Sequence, residues 1–435
     1  MPCPRQLPTI DEGTAVAALS TEQAESGFVL GGTTVRVASP WTGEDGRAFA
    51  ADLARFTSRT GIAVVATVPG LGSDDPSGRV DLVGLVEPVA RSGHRYPELV
   101  DLSHYLDRRA LEADHYAYLL DLMTTGESGT ATGAAPGLMG VPLAVSVKSL
   151  IWYPAAAFAD AGYSVPATWD ELVELTHRIA ADGRTPWCMA EAGTVAGGPA
   201  TDFVEDLVLR GAGTRVYDRW VGGQLPFNAI PVRRAFERYG EIMLEPGHVY
   251  GGVNQAIDLS IEEGMGLLQM DEPGCWLHHQ GSYALQYLRP RATQLGQVGY
   301  FVLPSTDPDD GGAVLGSVVF VGAVSDRPKV RELVRFLAGS DYGAALARTV
   351  GSGFVVANRA AVLTYVETDE RRTIAPMAHR ALVDGTFRID ASVAIGIEAA
   401  FREAMIGYLR SGREALPSIL SRLRGGGFQP STALE

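Results

Sequence analysis

Trp41 stands in Ser39-Pro40-Trp41-Thr42-Gly43-Glu44, directly after the apolar stretch 34–38. A flat indole beside a hydroxyl and a carboxylate can stack on a ligand face and accept hydrogen bonds from its hydroxyls. The same residues also suit a loop packed over its own indole, with Glu44 a solvated charge at a helix start. Lys148 interrupts the otherwise apolar run 141–153, with Ser146 and Ser149 beside it. A lysine there must pair with a carboxylate or point into a cleft, because burying it alone is costly. Trp187 and Trp276 adjoin Cys188 and Cys275 and read as ligand platforms or as core. Asp202 begins a helical pattern, where capping is the plain role. Phe354, after Gly351-Ser352-Gly353, is a rim aromatic or core.

Several chemistries find no support. Asp271-Glu272 could suggest acid–base hydrolysis, but adjacent residues at a strand exit point apart, and Pro273 marks a turn. His278-His279 cannot share a helix face, and no cysteine or carboxylate stands at zinc-like spacing. There is no phosphate loop, nucleophile elbow or dinucleotide fingerprint, so no metal or cofactor is expected.

The elements that would position these residues follow from periodicity. Residues 1–32 read as a tail. Strand 34–38, a helix over 44–59 with Phe49, Leu53 and Phe56 on one face, and strand 62–68 form a β-α-β unit, hence a parallel sheet. A short strand follows at 80–84, a helix at 112–123, and a Gly/Thr/Ala-rich excursion at 124–136. After strand 141–153, Thr168 and Glu171 read as a capping box for a helix carrying Trp169, Leu172, Thr176 and Ile179. Helices are expected at 200–209, 231–244, 328–337, 342–349, 398–410 and 416–424. Strands are expected at 264–270, 298–303 and 314–324, with a linker at 307–312.

At 435 residues the chain exceeds what one core usually holds, so two domains are expected. A net charge of −15 argues against nucleic acid and anionic membranes as partners, and it suits a neutral ligand better than an anionic one. No apolar run is long enough to span a membrane, and Met1-Pro2-Cys3-Pro4-Arg5 begins no signal peptide.

One stretch carries a more specific signal. Gly140-Val141-Pro142, Tyr153 to Phe158, Ala161-Gly162 through Pro166-Ala167-Thr168-Trp169-Asp170-Glu171-Leu172, and Gly183-Arg184-Thr185-Pro186 follow one another in order. This resembles the carbohydrate-binding family 1 of ABC-importer extracellular solute-binding proteins, closest to the binders of α-glucosides and oligosaccharides. Fainter resemblance runs from Thr34 to Arg424. It implies an α/β, two-lobed periplasmic-binding-protein fold, type II-like, each lobe a mainly parallel sheet flanked by helices, with three hinge crossovers. The lobes would be 33–145 plus 312–338 and 146–311 plus 339–435.

The resemblance further implies a non-enzymatic monomer that captures a mono- or oligosaccharide between its lobes and presents it to the transmembrane subunits of a permease. A glycoside-processing enzyme and a ligand-sensing partner of a membrane receptor are the rival readings. The ligand set it implies is Trp41, Thr42, Glu44, Asp81, Lys148, Trp187, Asp202, Trp276, Gly316, Ser317 and Phe354. Asp81 matches the family's Pro-Asp strand without its proline, and Gly316-Ser317 stands where the family often has two glycines. In an exported protein Cys188 and Cys275 would favour a disulfide over two free thiols. Cys3 would be either the remnant of a lipid-anchor site or incidental, and the export signal would lie outside the numbered sequence.

Overall fold

The computed structural model describes residues 34–67, 80–86, 98–125, 137–193, 196–288, 297–306, 312–348, 353–365, 371–390 and 398–424. The tail with Cys3, most of the 124–136 excursion and most of the 307–312 linker lie outside these residues.

Two sheets organise the chain. The larger has the order β11-β6-β10-β3-β1-β2, with β12 also on β10. Its members are β1 (Val35–Ala38), β2 (Val64–Thr67), β3 (Leu82–Leu85), β6 (Val141–Val147), β10 (Val314–Ala323), β11 (Val355–Val356) and β12 (Phe387–Ile389). The smaller is β8-β7-β9, from β7 (Leu150–Tyr153), β8 (His278–His279) and β9 (Gly299–Val302). A separate ribbon pairs β4 (Thr124–Thr125) with β5 (Gly137–Leu138).

The expected β-α-β unit is present: β1 pairs in parallel with β2 and β3. Between β1 and β2 the helix Gly43–Thr60 buries Phe49, Leu53 and Phe56. It ends at Gly61, whose φ of 72° is a left-handed turn that glycine adopts without strain. Elsewhere the pairing is mixed rather than mainly parallel. β10 runs antiparallel to β6 and β3, and β7 antiparallel to β8 and β9. The cause is the crossing itself. β6 leaves the large sheet toward the small one and β10 returns, so they must run oppositely; β7 enters and β9 leaves the small sheet in the same way.

The apolar run 141–153 is therefore two strands in two sheets, broken at Lys148-Ser149. The run expected as strand 264–270 is instead the helix Ile261–Leu268, which Ser260 and Glu263 start with a reciprocal capping box. Contiguous apolar residues do not separate a buried strand from a buried helix, and here the cap decides. The helix Trp169–Ala181 buries Trp169, Leu172, Thr176 and Ile179 as its spacing requires. Thr168 Oγ1 accepts the Glu171 N–H at 3.2 Å, but the Glu171 carboxylate reaches back to the Ala167 N–H at 2.7 Å, one residue before the expected partner.

A crossing near Gly339-Ser340 does not match the pairing. The helix Ser340–Arg348 packs against Gly43–Thr60, β11 pairs with β6 and β12 with β10. The chain leaves the large sheet only after Ile389, and the helix Glu398–Ser411 then packs on the helix Gly198–Ala212 of the small-sheet half. Very short strands such as Val355–Val356 hold their place by tertiary pairing, which composition does not announce. Among the described residues no helix is long and apolar enough to cross a membrane.

Candidate ligand site between the two sheets

Lys148 sits in the two-residue gap between β6 and β7. Its Nζ donates to Asp202 Oδ1 at 2.7 Å and to Asp390 Oδ2 at 2.8 Å. Asp202 comes from the first turn of the helix Gly198–Ala212, and Asp390 directly follows β12. All three side chains are at least 88 % shielded, with relative exposures of 12 %, 12 % and 6 %. Burial opposes the lysine's charge, but the two carboxylates hold the ammonium well above its ordinary range. One ammonium faces two carboxylates. Burial and the neighbouring Asp390 charge push the Asp202 carboxyl up against the pull of Lys148.

A second group closes on this cluster from the small-sheet half. Ser282 Oγ donates to the Gly353 carbonyl at 2.7 Å and accepts the Val147 N–H at 3.2 Å. Beside it, half-buried Tyr283 donates its hydroxyl to Gln280 Oε1 at 3.0 Å. Burial pushes the Tyr283 phenol up, and the charges of Asp202, Lys148 and Asp390 all act on it. The approach is close enough to require glycine at Gly353, where a Cβ would stand 2.2 Å from Tyr283 Cα and 2.7 Å from the Ser282 carbonyl oxygen. Gly353→Ala must push two backbones apart. It is expected to cost about 1–3 kcal/mol of stability, read from the denaturant midpoint, and an unchanged midpoint would show that the contact is slack.

Phe354 carries the contact toward Trp41. Its ring is half-buried and meets the Trp41 indole edge-on at 5.7 Å, and Phe49 also meets that indole edge-on, at 5.2 Å. Trp41 is only 4 % exposed, so little of its face is open. What it leaves uncompensated is the indole N–H, which is buried without a hydrogen-bond partner among the described residues. The loop is fixed by Ser39, whose Oγ accepts the Trp41 N–H at 3.0 Å and donates to the Trp41 carbonyl at 2.9 Å. Thr42 is exposed and makes no side-chain cap bond. Glu44 lies in the first turn of the helix Gly43–Thr60, and its side chain is outside the described atoms. From across the seam, Tyr287 is raised by burial first, and then by Glu262 and Asp45.

Other residues singled out in the sequence lie elsewhere. Asp81 Oδ2 accepts the Arg36 N–H at 2.9 Å and pairs with Arg327 at 2.6 Å, clamping β1 to the entry of β3. Trp187 is fully buried, donates to Thr176 Oγ1 at 3.2 Å and packs on Phe203. Trp276 is buried against Tyr163 at 5.2 Å, beneath the Arg184 guanidinium at 4.5 Å. Cys188 and Cys275 are disulfide-bonded, with Cα atoms 5.4 Å apart. These two indoles are core of the small-sheet half. Ser317 shares a 2.7 Å hydroxyl bond with Ser146 inside the large sheet. Gly316 has no room for a side chain, since a Cβ would meet the Phe387 ring at 2.3 Å and the Ser146 carbonyl oxygen at 2.4 Å. Its carbonyl accepts the Asp390 N–H at 3.1 Å, which places that carboxylate beside Lys148.

Of the residues singled out in the sequence, Lys148, Asp202, Trp41 and Phe354 lie along this seam, beside Asp390, Tyr283 and Tyr287, which carry no sequence motif. Tyr283 and Tyr287 stand in Gly281-Ser282-Tyr283-Ala284-Leu285-Gln286-Tyr287, which forms a short helical turn over Ser282–Tyr287. Asp390 had one legible signal, a lone carboxylate closing the short apolar stretch Phe387-Arg388-Ile389.

Known proteins give this arrangement its context. Residues 95–344 match the family model described as bacterial extracellular solute-binding protein. The alpha-glucosides-binding periplasmic protein AglE of Rhizobium meliloti (strain 1021) is 32 % identical over 337 residues, covering 73 % of this chain and 71 % of AglE. The osmoprotective compounds-binding protein GgtB of Synechocystis sp. (strain ATCC 27184 / PCC 6803 / Kazusa) is 35 % identical over 302 residues, 66 % of this chain and 68 % of GgtB. Among solved structures, the bacterial solute receptor AcbH superposes with a TM-score of 0.74 at 16 % identity, over 91 % of this chain and 98 % of that one. RafE in complex with raffinose gives 0.68 at 16 % identity, over 90 % and 98 %. The two-sheet architecture is that of the two-lobed solute-binding proteins, and the chain belongs to the bacterial extracellular solute-binding protein family.

Proposed function

We propose that the chain is the carbohydrate-capturing subunit of an ABC importer, holding a neutral mono- or oligosaccharide between the two sheets and delivering it to the permease's transmembrane subunits. The lobes in this reading are 34–147 with 314–389, and 150–302 with 398–424. The observation that carries it is the seam Trp41–Phe354–Gly353–Tyr283, with an unpartnered indole N–H at one end and, at the other, the charges of Lys148, Asp202 and Asp390 acting on Tyr283. Sugars ask for flat apolar surface against their C–H faces and strong acceptors or donors for their hydroxyls. The relatives support the same class: AglE is named for α-glucosides, RafE is solved with raffinose, and AcbH is described as preferring β-D-galactopyranose. Trp41, Thr42, Glu44, Lys148, Asp202 and Phe354 remain the proposed ligand contacts, joined by Tyr283 and Tyr287. Asp81, Trp187, Trp276, Gly316 and Ser317 act as supports. Acting as a monomer outside the cytoplasm belongs to the same proposal.

The test is a thermal-shift panel of neutral mono-, di- and oligosaccharides, with polyols, compatible solutes and amino acids alongside. A native-state ligand at a hundred times its Kd stabilises by about 2.7 kcal/mol, so a specific sugar raises the melting temperature. Trp41→Phe, which keeps an aromatic ring but removes the N–H, should weaken that sugar by up to about tenfold, the worth of one hydrogen bond. A shift from compatible solutes alone would move the ligand class toward that named for GgtB. Turnover of an aryl glycoside would replace binding with catalysis; Asp271 and Glu272, the adjacent carboxylates, are both exposed after the helix Ile261–Leu268.

A further inference from the structure

The helix Gly198–Ala212 is buried along most of its length, yet Asp202, Asp206 and Arg210 in it are 8 %, 0 % and 8 % exposed. Their spacing of four residues puts them on one face, each about 6 Å further along the axis. Every one of them bonds to a segment that passes between the sheets. Asp202 binds Lys148 Nζ, which reaches on to Asp390 where the chain leaves β12. Asp206 Oδ1 accepts the Ser149 hydroxyl at 2.6 Å, and Ser149 Oγ in turn accepts the Leu315 N–H at 2.9 Å at the start of β10. Arg210 Nη1 donates to the Ala313 carbonyl just before that strand. The main chain ties the same segments: Lys148 N–H bonds to the Leu315 carbonyl at 2.7 Å, and Leu303 N–H to the Ser149 carbonyl at 3.0 Å. Tyr217, on the following helix, donates to the Ile389 carbonyl at 2.8 Å and so grips the third crossing independently.

Burying Asp202, Asp206 and Arg210, with Glu205 also buried on the same helix, is poor value as stability alone, since apolar residues of similar volume usually serve as well or better. What charges add is discrete, directional partners. We infer that Asp202, Asp206 and Arg210 form a hinge clasp that, through Lys148 and Ser149, sets the angle between the two halves and hence the open–closed equilibrium. Lys148 is its bridging element, because it joins a carboxylate fixed to the small-sheet half to one fixed to the end of β12. Without its charge the two carboxylates face each other, and their repulsion favours separation. In this role all of them are positioning residues, which for Lys148 and Asp202 comes in addition to the proposed ligand contact and is read from the ligand-free distance. Their effect on affinity rests on the proposed binding function, because closure contributes to affinity only through the population of the competent state.

The experiment measures the ligand-free distance between the halves by double electron–electron resonance, with spin labels at Ser58→Cys and Glu174→Cys in a Cys3→Ser background. Both label sites are exposed, on helices of opposite halves. Lys148→Met and Asp390→Asn should move the distribution toward longer distances, and any sugar that shifts the parent's melting temperature should bind about tenfold more weakly. Asp206→Asn, near-isosteric and still able to accept from Ser149, serves where the other variants do not fold and should move the distribution in the same direction by less. A lower melting temperature with an unchanged distance distribution in the folded variants overturns the clasp and leaves these residues as plain core. A shifted distribution in a protein that binds no sugar keeps the clasp and overturns the ligand class instead.

Discussion

Glu191→Gln should remove a loss of stability that the parent accumulates between about pH 4.5 and about pH 8, the ordinary and the folded-state values for Glu191. The Glu191 side chain is buried beside His278 and Gln280, and its Oε2 accepts the Ala200 N–H at 3.1 Å. Burial is the main cause of the rise; the Ala200 N–H opposes it and the Asp202 charge adds to it. The folded value lies above the unfolded one, so the folded chain holds the proton more tightly. Below the unfolded value both states are protonated. As pH climbs through the window, the unfolded chain releases its proton while the folded one keeps it. The stability contributed by Glu191 therefore falls with a slope of up to about 1.4 kcal/mol per pH unit and levels off above the folded value. Glutamine keeps an acceptor for Ala200 and removes the titration. Burial also holds His278 down at about 4, which adds a rising slope below the ordinary histidine value in both proteins, so the quantity to follow is the denaturant midpoint of the parent relative to the variant, which should fall as pH climbs through the window. Asp202, also raised, contributes a slope of the same sign that persists in both proteins. Equal slopes would mean that Glu191 is not the titrating group.

Reducing the Cys188–Cys275 disulfide should destabilise the protein by about 2–4 kcal/mol, lowering the melting temperature by roughly 6–12 °C if the small-sheet half melts as one unit. The bond spans 87 residues, so it removes much conformational freedom from the unfolded chain. It also holds the Trp187-Cys188 segment, which bridges Val249 and Leu277, beside the segment that carries Trp276. Melting with and without a phosphine reductant, together with a Cys188→Ala/Cys275→Ala variant, measures the effect. An identical melting temperature in all three would mean that the cross-link constrains nothing the core does not already fix.

Local chemistry made much of the architecture readable in the sequence. The helix Gly43–Thr60 follows from the spacing of Phe49, Leu53 and Phe56 and from Gly61 at its end. The helix Trp169–Ala181 follows from Thr168 and its apolar face. These features act over a few residues, where periodicity and capping hold whatever the rest of the chain does. The helix Ile261–Leu268 is equally local: the capping box at Ser260-Ile261-Glu262-Glu263 starts it, although the apolar run behind it has the composition of a strand.

Lys148 shows where that reach ends. An ammonium in an apolar run signals a partner, but the choice between ligand and ion pair depends on where Asp202 and Asp390 come to lie, 54 and 242 residues away. Trp187 and Trp276 are the same kind of case. Tryptophans beside cysteines look alike as platform and as core, and only the packing of Phe203, Tyr163 and Arg184 around them made them core. The sequence by itself determined most of the helices, the family and the fact that Lys148 needed either an opposite charge or a cleft, because those follow from short-range patterns and from the cost of burying an unpaired ion. Tertiary structure alone decided the antiparallel crossings, the place of β11 and β12, and which residues meet at the seam, because each depends on contacts between segments far apart in the chain.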